Sequence, residues 1–210
     1  GGGGRRGGVG WGGAGEAARG RSAAALDVDR SQARRLRPGS YCVLLGIGGL
    51  GHIALQSLHA ISGCRIIAID KEPAAQKLAR ELGADHVLAG GPDVVEEVRE
   101  TTGGGTHVVT DFVGTLGPEN LGWTMVRTGG QLFVVGYGGT IQVPTIQLVI
   151  EEINIGGSLV GNFTELVELM ELNADGKVHM HYTEYNLANI NTAIDDFKNR
   201  RFPGRGVIVP

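Results

Sequence analysis

GIGGLGHIALQ, residues 46–56, decides the fold of this chain. Before it runs YCVLLGI, residues 41–47, a nearly continuous apolar stretch of the kind expected for a strand buried on both faces of a parallel sheet. After it the apolar pattern turns helical, from Leu50 to about Ile61. Gly46, Gly48 and Gly51 stand between the two as G-x-G-x-x-G. In that order the glycines permit a tight turn, admit a pyrophosphate close to the backbone, and let the helix pack against the strand. The helix start adds unpaired N–H groups and the positive end of its dipole. CRIIAID, residues 64–70, is a second buried strand, and its last residue, Asp70, lies 19 positions beyond Gly51. An acid there can accept hydrogen bonds from adenosine ribose hydroxyls, so the constellation reads as a dinucleotide site. Read as structure alone, Asp70 would cap the next turn. S-adenosylmethionine sites usually carry an acid just before the first glycine, and here that residue is Leu45.

Outward from the turn, strand and helix alternate. A helix is expected over residues 73–82, with Pro73 near its start and Gly83 as its stop. ADHVLAG supplies a third strand, residues 93–102 a helix, and residues 107–114 a fourth strand. A helix near residues 118–126, a strand over 131–139 and a sixth strand over 153–161 complete the series. The expected fold is α/β, a doubly wound parallel sheet, the Rossmann fold.

Composition narrows the function. No run approaches the roughly 18 to 20 apolar residues of a membrane span, and no secretory leader stands at the start, so a cytoplasmic protein is expected. Cys42 and Cys64 lie within apolar runs and offer no CxxC metal pair. A net charge of -3 points to neither nucleic acid nor membrane as partner. The charge is uneven: residues 1–40 carry eight arginines against Glu16, Asp27 and Asp29, a balance of +5, and the remaining 170 residues carry -8. Eleven of the first twenty residues are glycine, so residues 1–34 have too few apolar side chains for a core, and disorder is expected there. Its single RGG, at Arg6, with a lone Trp11, is a weak RNA-binding signal. An upstream extension, or GC-rich DNA read out of frame, would also give this composition.

GIGGLGHIALQ, IIAID, ARELGADHV, VTDFVG, RTGGQLFVVGYGG, GGSLVGN with TELVELM, and the terminal GRGVIVP together resemble the zinc-type, medium-chain NAD-dependent alcohol dehydrogenases. The resemblance runs from about Arg35 to Pro210 and includes the doubled glycine of G-x-G-G-x-G, in which Gly49 and Leu50 complete the turn. It implies NAD as cofactor and an alcohol or aldehyde as substrate. By motif position it places Phe112 and Val113 beside the riboses, and Val135, Gly136, Tyr137, Leu159 and Val160 around the nicotinamide. Without it, Val135 and Leu159 would read as core strand residues. Residues 35–162 would form the dinucleotide-binding domain. Residues 163–210 would be a helix and strand remnant that packs on a catalytic domain, leaving Val207, Ile208 and Val209 as an apolar edge in its absence. The segment around residues 141–148 would pair subunits into a homo-oligomer.

The family also uses zinc, held by cysteine, histidine and a third ligand from a domain ahead of the cofactor part. Residues 1–32 contain neither cysteine nor histidine, so the zinc ligands are expected to be missing. Of the six histidines, His52, His59, His86, His107, His179 and His181, only the last two suggest a pair, two apart on an expected strand. A catalytic zinc needs three protein ligands and an open position. His52 reads as a helix residue near the cofactor, and Asp111 as a hydrogen-bonded acid near the crevice. Three readings follow: an alcohol dehydrogenase reduced to its cofactor part, a noncatalytic NAD-binding module, or a zinc-free quinone reductase-like relative.

Overall fold

The computed structural model describes residues 36–114 and 121–210. Six parallel strands form one sheet in the order β3-β2-β1-β4-β5-β6. They are β1 Tyr41–Leu45, β2 Arg65–Ile69, β3 His86–Leu88, β4 Thr106–Asp111, β5 Val126–Val134 and β6 Asn154–Gly157. Helices α1 Gly51–Ile61, α2 Pro73–Glu81, α3 Val94–Thr102 and α4 Thr145–Glu151 lie between them. The expected doubly wound α/β sheet is present.

Alternation along the central strands explains why both faces are covered. Cys42, Leu44, Ile66, Ala68 and Val108 point to one side and pack with Leu55 and Leu58 of α1 and Ala75 and Ala79 of α2. Val43, Leu45, Ile67, Ile69, Val109 and Leu132 point to the other, against Val94 and Val98 of α3 and Met125. Each large side chain so buried contributes about 1.5 to 3 kcal/mol. Strands β1 and β4 are central and run in register, Leu45 beside Asp111 and Cys42 beside Val108. Their carboxyl ends therefore open together at the glycine turn, where the strand order reverses.

Several boundaries differ from expectation. Residues 115–120, part of the expected helix near 118–126, lie outside the described residues, as does the 1–34 segment. Leu121–Met125 is a short 3-10 turn, and β5 starts at Val126 rather than residue 131. The ladder with β4 is irregular between Thr106 and Val108, and Gly129 adopts a φ of +73°, so a glycine pair lets the strand begin early and bulge. β5 also ends at Val134, because the next two amides, of Val135 and Gly136, turn to the Asp111 carbonyl at 2.8 and 2.9 Å. The sixth strand has four residues rather than nine.

The C-terminal segment adds α5 Phe163–Ala174, β7 Tyr182–Asn186, α6 Ile190–Lys198 and β8 Arg205–Val209. A capping box starts α5: the Asn162 side chain accepts from Glu165 N–H, and the Glu165 carboxylate accepts from Asn162 N–H. Leu169 of α5 and Val178, just beyond its end, pack with Ile53 and Ala54 of α1. β7 and β8 pair in parallel, so Val207, Ile208 and Val209 are half-buried and hydrogen-bonded along one side, not a bare edge. No helix among the described residues is long and apolar enough to cross a membrane.

Candidate cofactor site

At the carboxyl end of β1 the chain turns at Gly46, whose φ is +89° and whose N–H donates to the Ile69 carbonyl at 2.8 Å. A Cβ on Gly46 would stand 2.6 Å from Val113 Cγ2, and one on Gly51 would strike the Gly46 carbonyl. Close approach therefore demands glycine at both positions. A Cβ on Gly48 would meet nothing within 4 Å, so that side of the turn is open to a ligand. The four positions Gly48, Gly49, Leu50 and Gly51 lead directly into α1.

Asp70 is half-buried at the end of β2. Its Oδ2 accepts from the Ile47 N–H at 2.7 Å and its Oδ1 from the Glu72 N–H at 2.9 Å. One amide belongs to the glycine turn and the other to the following turn, so the carboxylate locks the two together. A carboxylate offers about four lone-pair positions, and two are used here. A cleft of about 330 Å³ opens beside it, lined by Gly48, Gly49, Asp70 and, from the C-terminal segment, Phe197, Arg200 and Phe202 among others. This is within the size range of small-molecule sites.

The second half of the crevice is built by crossing backbones. Asp111 is buried; its Oδ1 accepts from the N–H groups of Val113 and Gly114 at 2.8 and 2.9 Å. Gly114 and Gly136 approach so closely that a Cβ on either would strike the other loop. Phe112 and Val113 are half-buried there, as are Val135 and Gly136. Tyr137 and Leu159 are 88% and 85% exposed, so the core reading of Leu159 is not met. Val160 has a φ of +46°, a strained conformation for a β-branched residue.

Two features of the site go beyond the sequence reading, which places His52 only as a helix residue near the cofactor and gives Arg205 no role. Arg205, at the start of β8, lies against the turn: a Cβ on Gly49 would stand 3.4 Å from its side chain. Its one signal was the arginine inside GRGVIVP. The other is His52, fully buried on α1, whose Nδ1 lies 2.7 Å from the Gly48 carbonyl and whose Nε2 accepts from the His181 N–H at 3.2 Å. Burial lowers its pKa from 6.5 to about 4; the Gly48 bond opposes that shift, and the charges of His181 and Arg205 reinforce it. His179 and His181 precede β7 rather than lying on a strand, because their backbones are taken up by Gln56 and His52 of α1. Among the described residues no group of three or more His, Cys, Asp or Glu could hold a metal ion. The donors among the described residues do not make up the three-ligand set of a catalytic zinc.

The chain is similar in sequence and fold to known proteins. The sequence model of the family described as zinc-binding dehydrogenase matches residues 49–175. An alcohol dehydrogenase of Rhizobium meliloti (strain 1021) is 36% identical over 175 residues, covering 82% of this chain and 51% of that protein. An NAD-dependent alcohol dehydrogenase of Sulfurisphaera tokodaii is 33% identical over 180 residues, covering 83% and 52%. The crystal structure of the alcohol dehydrogenase from the hyperthermophilic archaeon Aeropyrum pernix superposes with a TM-score of 0.85 at 38% identity, covering 92% of this chain and 56% of that one. The chain spans about half the length of the curated relatives it matches. Fold, glycine turn and sequence thus converge, and the chain belongs to the zinc-binding dehydrogenase family of zinc-type, medium-chain alcohol dehydrogenases.

Proposed function

We propose that this chain binds NAD and serves as the cofactor-holding part of an oxidoreductase that transfers hydride between an alcohol and the nicotinamide. The observation that carries the reading is the locked pair of turns at Asp70. Its carboxylate fixes the Ile47 amide, and hence the glycine turn, while keeping lone pairs for ribose hydroxyls. A 2′-phosphate would be repelled there, so NAD is preferred to NADP. The open face of Gly48, the start of α1 and the Arg205 side chain supply N–H groups and positive charge for the pyrophosphate. When bound, NAD accepts or donates the hydride. Gly46, Gly48, Gly49, Leu50, Gly51 and Asp70 would hold its adenosine and phosphate end. Phe112, Val113, Val135, Gly136, Tyr137, Leu159 and Val160 would hold the ribose and nicotinamide end.

Residues 35–162 would act as the dinucleotide-binding domain and residues 163–210 as the segment that closes over it. The alcohol or aldehyde and the metal that would polarise it belong to the other half of the reaction, and no step through zinc is assigned to the described residues. A noncatalytic NAD-binding module is the second reading. Exposed Ile146, Val149 and Ile150 on α4 and Ile155 on β6 suit a subunit contact. Calorimetric titration with NAD, NADP and zinc, followed by NADH absorbance with primary and secondary alcohols, tests the proposal. NAD binding without steady NADH formation fits the cofactor-holding part. Stoichiometric zinc with steady turnover would restore a complete enzyme, and no NAD binding would end both readings.

A further inference from the structure

We propose that His52 is a positioning residue: its ring joins the glycine turn to the C-terminal segment and thereby holds Arg205 over the turn. This rests on the reading of the turn as the seat of a dinucleotide pyrophosphate. The connections form a closed circuit. The Gly48 carbonyl meets His52 Nδ1 at 2.7 Å, and His52 Nε2 meets the His181 N–H at 3.2 Å. The His181 carbonyl accepts from the Arg205 N–H at 3.0 Å, and the Arg205 side chain returns to Gly49. Residues 129 apart in sequence are thus tied through one imidazole.

The partners fix the chemistry of the ring. A carbonyl can only accept and an amide can only donate, so Nδ1 carries the proton and Nε2 presents its lone pair. Neutral imidazole supplies one donor and one acceptor on separate atoms, which matches this pair of neighbours. Burial favours that neutral form. Gln56, one turn along α1, reinforces the attachment: its Nε2 donates to the His52 and His179 carbonyls, and its Oε1 accepts from the His179 N–H. The apolar contact of α5 with α1 supplies adhesion, but directional hydrogen bonds set where the 179–181 strand of chain, and therefore the start of β8, comes to rest.

The test uses the full chain and NAD as probe. His52→Gln can keep an acceptor near the Nε2 position for the His181 amide, whereas His52→Asn keeps a donor for Gly48 but falls short of His181. Each loses one hydrogen bond, so a merely structural role predicts similar losses in melting temperature and in NAD affinity. Positioning predicts that His52→Asn weakens NAD by about tenfold, the scale of one hydrogen bond, while His52→Gln stays within about threefold of the unaltered chain. It also predicts that in an Arg205→Met background His52→Asn has no further effect on NAD affinity. Equal losses in Asn and Gln, or multiplicative losses in the double variant, would overturn the inference while leaving NAD binding intact. Failure of the unaltered chain to bind NAD would overturn the underlying reading as well. Circular dichroism on each variant confirms folding; if His52→Asn does not fold, a loss of more than about threefold in His52→Gln that persists in the Arg205→Met background overturns the inference.

Discussion

The two ends of the crevice are built differently. Around the glycine turn side chains tie the backbone together: Asp70 accepts from two amides, His52 bridges two backbone groups, and the Arg205 side chain lies against Gly49. At the other end Asp111 and the crossing of Gly114 with Gly136 fix the backbone, but the side chains beyond it stand in the open, Tyr137, Leu159, Val160 and Phe163 among them. The phosphate end needs only a strand, a turn, a helix start and an acid, all adjacent in one βαβ unit. The reacting end needs apolar cover that the described residues do not provide. If the crevice holds NAD as proposed, recognition of the cofactor and chemistry upon it are separable, and the following outcomes break or sharpen that division.

The largest effect is expected at Gly51. A valine there would drive its Cβ into the Gly46 carbonyl, which can yield only by moving β1 or α1. Overpacking of this kind costs about 1 to 3 kcal/mol and more where backbone is struck. Gly51→Val should abolish NAD binding in titration and lower the melting temperature. Retention of binding within tenfold would mean that the turn is not the phosphate seat.

Acid should loosen the same end. In the unfolded chain the His52 imidazole titrates near 6.5, and in the folded chain at about 4. Between these values the unfolded state binds a proton that the folded state refuses. The stability that neutral His52 contributes is thus complete above about pH 6.5, declines as pH falls, and is gone below about 4. The full difference is on the order of 3 kcal/mol. Urea unfolding at pH 7 and pH 4.5, on the unaltered chain and on His52→Gln, measures it. The variant should show the flatter dependence, and identical slopes would exclude His52 as the source.

At Asp70 the effect is next in size and different in kind. Hydrogen bonds to a charged group contribute about 1.5 to 3 kcal/mol, or roughly 10- to 150-fold in affinity. Asp70→Asn should weaken NAD within that range while improving NADP relative to it, as read by parallel titrations. Equal affinity of the unaltered chain for the two cofactors would remove Asp70 as the discriminating group.

Legibility in the sequence follows the same division. Strands β1, β2 and β4, the glycine spacing and Asp70 are local patterns, and they announce themselves because each is a short run whose neighbours in space are neighbours in sequence. His52 is legible as a helix residue near the cofactor but not as a bridge, since its partner His181 lies 129 positions away and contributes a backbone amide, which no side-chain pattern reveals. Arg205 was hidden for the same reason. Helix α4 is short and turns Ile146, Val149 and Ile150 outward, with Leu148 alone of its apolar side chains against the core, so it carries no clear inward-facing stripe. The early start of β5 depends on Gly129 and Gly130 relaxing the strand, a conformational freedom rather than a pattern. The assignments at the nicotinamide end came through resemblance, because exposed Tyr137 and Leu159 carry no burial signal.

The smallest effect is expected at Tyr137, and it tests the comparison from the open side. The side chain is 88% exposed and belongs to no core cluster among the described residues, whereas the backbone beneath it is held by the Asp111 carbonyl through the amides of Val135 and Gly136. If the nicotinamide end works through backbone geometry, removing the phenol leaves that geometry intact. Substitutions at such exposed positions usually stay within about 0.5 kcal/mol, or roughly twofold in an equilibrium constant. Tyr137→Ala should therefore leave both the melting temperature and the NAD affinity within twofold, while the same titration registers the loss at Asp70. A tenfold loss of NAD affinity at Tyr137 with unchanged stability would show that this side chain already covers the bound nicotinamide. The two ends would then be equally built, and the separation of binding from chemistry would fail.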